Sequence, residues 1–153
     1  MRSVWTPAAS SLTAKKQMSG SAFLDTNVLI YSYAETEPVK KAQALAAIGT
    51  GEVWLSTQVL IEFVNVNRRK LKVTWPSIQR SLVELDANYR VLQTSAATIT
   101  QATRLADRYG FSWFDALIMA AALECGCETL YSEDLQHGQL IEGSLRVMNP
   151  FLP

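Results

Sequence analysis

Five short strand-like runs, Ala22–Asp25, Val53–Leu55, Arg90–Leu92, Glu128–Tyr131 and Leu145–Met148, alternate with longer stretches that carry helical punctuation. This alternation limits the fold more than any other feature. A parallel neighbour is reached only through a crossover of a dozen or more residues, usually a helix. The chain is therefore expected to be α/β, a three-layer α/β/α sandwich with a mainly parallel central sheet.

The intervening stretches supply the helices. Asn27–Tyr33 begins the first. Pro38 suits a first helical position and Gly49 a stop, with Val39, Ala42, Leu45, Ala46 and Ile48 as the apolar face. Ser56 or Thr57 caps a helix carrying Leu60, Phe63, Val64, Asn67 and Leu71 on one broad face. Pro76 opens another, to about Ala87. Ser95 caps a helix with Ile99, Ala102, Ala106 and Tyr109 on one stripe, stopped by Gly110. Ser112 caps a strongly apolar helix through Phe114, Leu117, Ile118 and Ala121.

The chain has 153 residues, which suits one domain. Residues 1–20 are rich in Ser, Ala and Thr, show no amphipathic period and lack a secretory apolar core. They are expected to be a flexible N-terminal extension, or an upstream start given the second methionine Met18, with the folded domain at 21–153; a targeting peptide is the lesser alternative. The extension holds Arg2, Lys15 and Lys16 and no acid. Of the 14 basic and 14 acidic residues, the remainder thus keeps 11 (14 − 3) against 14. No global basic field draws in nucleic acid, so such binding must be local or metal-assisted. No apolar run approaches the roughly 18 residues of a membrane span. Cys125 and Cys127 flank one glycine, too few thiols to close a zinc site, and read as reduced thiols of a cytoplasmic protein. Neither GxxxxGK[ST] nor GxGxxG occurs, so nucleotide binding lacks its phosphate cradle.

The acidic residues carry the functional signal. The stretch "FLDTNVLIY" places Asp25 inside an apolar run. Burying an ionised carboxylate without a partner costs several kcal/mol or more. In open parallel sheets, ligands bind beyond the carboxyl ends of the strands. Asp25 closes the first strand there, Asp134 follows the fourth in "YSEDLQHG", and Asp115 lies in the first turn of the apolar helix. Glu62 is about one and a half turns into the helix after the second strand. Four carboxylates from four segments can converge. Clustered like charges raise at least one pKa, and a hard divalent cation relieves the repulsion. An all-oxygen set favours Mg²⁺ or Mn²⁺ over zinc. Local readings compete: a Ser112/Asp115 capping box, turn caps at Asp25 and Asp134, and a Glu62–Arg69 ion pair.

The ordered pieces "FLDTNVLIY", "LSTQVLIEFVNV", "SWFDALIMAAA", "LYSEDLQHGQLIEG" and "VMNPF" resemble the PIN-domain family, most closely its VapC-type branch of bacterial toxin ribonucleases. The similarity spans roughly residues 21–151. It implies a Mg²⁺- or Mn²⁺-dependent endoribonuclease whose acids map to Asp25, Glu62, Asp115 and Asp134. Asn27 matches the asparagine of the family's D-T-N, Ser132 its hydroxyl two before the last acid, and Glu133 is a further candidate. The resemblance also implies an RNA substrate, a cognate VapB-like antitoxin and a homodimer. A free-standing RNA-processing nuclease and a non-catalytic binding module on the same fold are the alternatives.

Three smaller features remain. Arg68, Arg69, Lys70 and Lys72 can grip RNA phosphates or complement a helix C-terminus. Trp54, Trp75 and Trp113 can stack on bases but more often pack. His137, the only histidine, reads as structural.

Overall fold

The structure is a computed structural model describing residues 20–49 and 51–153. The expected extension, apart from Gly20, lies outside the described residues. The elements run β1 (Ala22–Leu24), α1 (Thr26–Ser32), α2 (Pro38–Ile48), β2 (Val53–Ser56), α3 (Thr57–Arg69), α4 (Trp75–Asn88), β3 (Arg90–Leu92), α5 (Ala96–Tyr109), α6 (Trp113–Glu124), β4 (Thr129–Tyr131), β5 (Leu140–Ile141) and β6 (Leu145–Met148). The six strands form one sheet in the order β3-β2-β1-β4-β6-β5. All pairings are parallel except β5 with β6.

The expected α/β/α architecture is present, and β1 shows why. Successive strand residues point to opposite faces. Phe23 and Leu24 are both 0% exposed, so helices cover the sheet on both sides. On α6 the burial runs unbroken from Ala116 to Ala122, the pattern of a helix enclosed all round. It packs on α5 and against β2 and β4, while α1 packs on α2 and α3.

The caps follow the sequence closely. Ser56, Ser95 and Ser112 each accept a backbone N–H at the start of α3, α5 and α6. Ser95 and Thr98 form a reciprocal capping box. Gly110 ends α5 at φ +72°, the left-handed conformation that favours glycine.

Five readings are corrected. The apolar face expected on α2 is not the one that packs: Val39, Ala42 and Ala46 are exposed, and Ala44 and Ala47 are the buried residues. Leu71 is not on α3, which ends at Arg69. The chain reverses there, Val73 N–H bonding Asn67 O at 2.9 Å and Lys72 adopting φ 55°, and leaves Leu71 54% exposed. Ile99 lies one residue round α5 from its buried face of Thr98, Ala102 and Leu105, and is exposed. Phe114 is exposed because the buried run of α6 begins two residues later. Finally, β5 was missed. Its two residues turn back onto β6 through Glu142 and Gly143, both at positive φ. Glu142 is held there by Tyr109, whose hydroxyl accepts its N–H at 3.0 Å, and by Arg108.

Candidate active site

The chain passes from β1 to β2 on one side of the sheet and from β4 to β6 on the other. The crevice between the carboxyl ends of β1 and β4 is therefore the topological switch point, where α/β folds bind ligands. Asp25 stands at its lip. Its N–H bonds Tyr131 O at 3.0 Å, extending the β1–β4 pairing by one residue. It then turns the chain into α1 as the N-cap.

Both oxygens of Asp25 have partners. Oδ1 accepts the Thr26 N–H at 2.7 Å, and Oδ2 accepts the Ser132 hydroxyl at 2.9 Å across the crevice. The turn-cap reading of Asp25 is thus correct as far as it goes. It leaves the charge unexplained, because the residue is buried and no cation pairs with it among the described residues. Burial lifts its carboxyl to about pKa 6. The Ser132 and Thr26 hydrogen bonds oppose the shift, and the negative charges of Asp115 and Glu62 add to it. Asp115 and Glu62 therefore lie near enough for their charges to bear on Asp25.

Glu62 does not pair with Arg69. Its carboxylate accepts the Thr26 hydroxyl at 2.6 Å and the Gln58 side-chain amide at 2.8 Å. The fourth acid, Asp134, reaches the same rim by another route, accepting the Asn27 amide at 2.9 Å. The segment 25–27 thus touches Ser132, Glu62 and Asp134 with three consecutive side chains. Thr26 and Gln58 were not singled out from sequence. The spacing of Gln58 and Glu62, one helical turn apart, was the available signal.

Asp115 separates from its capping role. Ser112 Oγ accepts the Asp115 backbone N–H at 3.3 Å, and no hydrogen bond to the Asp115 carboxylate is found among the described residues. The half-buried carboxylate is thus available to a ligand. Ser112→Ala should cost about 1 kcal/mol of stability through the lost cap. Asp115→Asn should leave metal-free stability unchanged or higher, because it removes a charge that repels Asp25. Urea unfolding of both variants checks the contrast; a loss of more than 1–2 kcal/mol in Asp115→Asn would restore the capping-box reading.

Among the described residues, no three carboxyl, imidazole or thiol groups form a ready metal cage. The donor set nevertheless fits a hard cation. It is all oxygen, it joins residues from four segments, and its central carboxyl is held high partly by like charge.

The remaining candidates lie elsewhere or act structurally. Arg68 donates to Val73 O at 3.3 Å and stacks on Trp75, at the end of α3 opposite Thr57. Thirteen residues of helix put that end about 20 Å from the sheet's carboxyl edge. Arg69, Lys70 and Lys72 share its exposed terminus. Trp54 is half-buried under Arg90, whereas Trp75 and Trp113 are exposed. His137 is structural, its Nδ1 accepting the Asn149 N–H at 2.9 Å.

A mainly parallel sheet with helices on both faces defines the class of fold, and comparison with known proteins gives the family. The PIN domain family profile matches residues 22–140, and the chain belongs to that family. Its fold is similar to that of Mycobacterium tuberculosis VapC20, a sarcin–ricin loop cleaving toxin. The identity is 24%, covering 74% of this chain and 89% of that one, with a TM-score of 0.59. A toxin–antitoxin complex from Klebsiella pneumoniae gives 21%, 84% and 97%, with a TM-score of 0.66. VapBC2 from Rickettsia felis, bound to a promoter DNA fragment, gives 18%, 84% and 98%, with a TM-score of 0.61. At these identities the likeness is one of fold. No curated protein sequence matches. Among the described residues no helix is long and apolar enough to cross a membrane.

Proposed function

We propose that this chain is a Mg²⁺- or Mn²⁺-dependent endoribonuclease and the toxin of a toxin–antitoxin pair. The observation that carries the reading is the buried Asp25 at the switch point of a PIN-family sheet, in a segment whose side chains bond Ser132, Glu62 and Asp134. Asp25 and Asp115 would hold the ion, with Glu62 and Asp134 completing the shell. A bound divalent ion supplies charge neutralisation at the scissile phosphate and a more acidic water.

The chain's own residues do the rest. Ser132 and the Thr26 N–H fix both oxygens of Asp25, so its orientation is set before substrate arrives. Thr26 and Gln58 aim Glu62, and Asn27 aims Asp134. Water attacks phosphorus in line: a P–O bond forms as the P–O bond to the leaving ribose oxygen breaks. Glu62 or Asp134 takes the proton of the attacking water, and the leaving oxygen is protonated from solvent. With Nδ1 engaged by Asn149, His137 has no part in this.

The basic run Arg68–Lys72 would contact RNA only well away from the cleaved bond. The partner proposed is a small VapB-like antitoxin that masks the acidic edge, and the chain is proposed to act as a cytoplasmic homodimer. Two of the structurally similar proteins were solved in toxin–antitoxin assemblies, which supports the pairing.

The test is cleavage of a panel of structured RNAs, a sarcin–ricin-type loop included, with and without Mn²⁺, alongside expression of the chain alone in bacteria. Mn²⁺-dependent cleavage and growth arrest by wild type, both lost in Asp25→Asn, are expected. A folded wild type that cuts no RNA and leaves growth unaffected would overturn the proposal.

A further inference from the structure

We propose that Lys40, on α2, is a positioning residue for the acidic site, acting through Glu133 to hold the Ser132–Asp134 turn against the 25–27 segment. The inference rests on the nuclease reading above.

Glu133 lies between two residues already tied to that segment. Ser132 donates to Asp25 at 2.9 Å, and Asp134 accepts from Asn27 at 2.9 Å. Glu133 itself reaches away to α2, where Lys40 Nζ meets Oε1 at 2.5 Å. The three consecutive residues of the turn are thus each pinned by a different side chain.

The lysine is itself fixed on several sides. Its ammonium donates to the Tyr31 hydroxyl at 3.1 Å and lies 4.3 Å from the Tyr31 ring centroid and 5.3 Å from that of Phe151. The two rings meet edge to face at 5.0 Å. The clasp therefore joins α1, α2, the turn after β4 and the residues after β6. Its partners are 31% and 27% exposed. Each of the other three ion pairs among the described residues has a member at least 65% exposed. An ion pair of that open kind contributes little and moves freely. This one is shielded, and aromatic faces flank it.

Two physical roles for Lys40 give opposite signs. As a bare positive charge near the acids, it would repel a divalent cation, and its removal would tighten cation binding. As the anchor of the turn, its removal would loosen Asp134 and the Ser132 hold on Asp25 and weaken cation binding, in the manner of partners outside the coordination shell.

The full-length chain decides between them by calorimetric Mn²⁺ titration and by cleavage of a 5′-labelled hairpin RNA in Mn²⁺. The variants are Lys40→Met, Glu133→Gln and the double substitution. For Lys40→Met we expect the Mn²⁺ Kd to rise about 10-fold and kcat to fall about 10-fold, with KM within about twofold. Glu133→Gln should match it, and the double variant should be no worse than either single one. Melting temperature without metal should move by no more than about 3 °C, which separates positioning from loss of fold. Tighter Mn²⁺ binding in Lys40→Met, or a rise in KM alone, overturns the proposal in favour of a plain charge or a phosphate grip. If wild type binds Mn²⁺ but cuts no RNA, the nuclease reading fails while the titration still judges Lys40. A wild type that does not bind Mn²⁺ overturns both.

Discussion

Asp25→Asn should lower RNA cleavage by at least about 100-fold and, without metal near pH 7.5, should make the fold more stable rather than less. The sign of the second effect comes from linkage. Asp25 has a folded pKa of about 6 against the ordinary aspartate value of 3.8, raised first by burial and further by Asp115 and Glu62. Between these values the native state binds more protons than the unfolded chain, so stability falls as pH rises through that window. Above it the penalty is complete, at most about 3 kcal/mol for a shift of this size. Asparagine removes the charge and can still accept the Thr26 N–H, while the Ser132 hydroxyl can rotate to accept from the new amide. A gain of about 1–3 kcal/mol is therefore expected near pH 7.5, shrinking towards zero near pH 4. Urea denaturation at both pH values measures it. A variant equally destabilised at both would mean that Asp25 serves mainly as the cap of α1.

Phe23→Ala should have the largest effect on folding, a loss of about 3–5 kcal/mol. Phe23 is fully buried in β1 and registers with Trp54 on one side and Leu130 on the other. Its ring fills the layer between sheet and helices, and a close-packed core collapses only partly around the cavity. Domains of this kind have about 5–15 kcal/mol in all, so the variant should be marginal at physiological temperature. Val83→Ala offers the control, since Val83 is 71% exposed and should change stability by less than about 0.5 kcal/mol beyond helix propensity. Denaturant midpoints, with unchanged m-values, test the pair. A cost below 1 kcal/mol for Phe23→Ala would contradict the central place given to β1.

The two effects meet in adjacent stretches of chain, and the sequence shows why one was easier to read. The run Ala22–Leu24 is apolar at every position because both faces of β1 are covered, and such runs stand out without any alternation. Asp25 stood out for the opposite reason, as a charge at the end of that run. Ser132 and Asn27 entered only through the resemblance to the PIN-domain family, and each bonds an acid of the candidate site, Ser132 to Asp25 and Asn27 to Asp134. What escaped depends on contacts far apart in the chain. Thr26 and Glu62 are 36 positions apart, and Lys40 and Glu133 are 93 apart, so no local pattern marks either pair. Ile99 and Phe114 escaped for a geometric reason. One residue is about 100° of helix rotation, enough to move a side chain from core to solvent without altering the apolar spacing. The two-residue β5 is too short to show any period.

Whether the gathered acids hold a divalent cation is tested most directly by calorimetric titration of Mn²⁺ into wild type and Asp25→Asn. Saturable binding by the wild type that disappears in the variant is the expected result. Unchanged Mn²⁺ affinity in Asp25→Asn would place the ion elsewhere and contradict the site at the β1–β4 crevice.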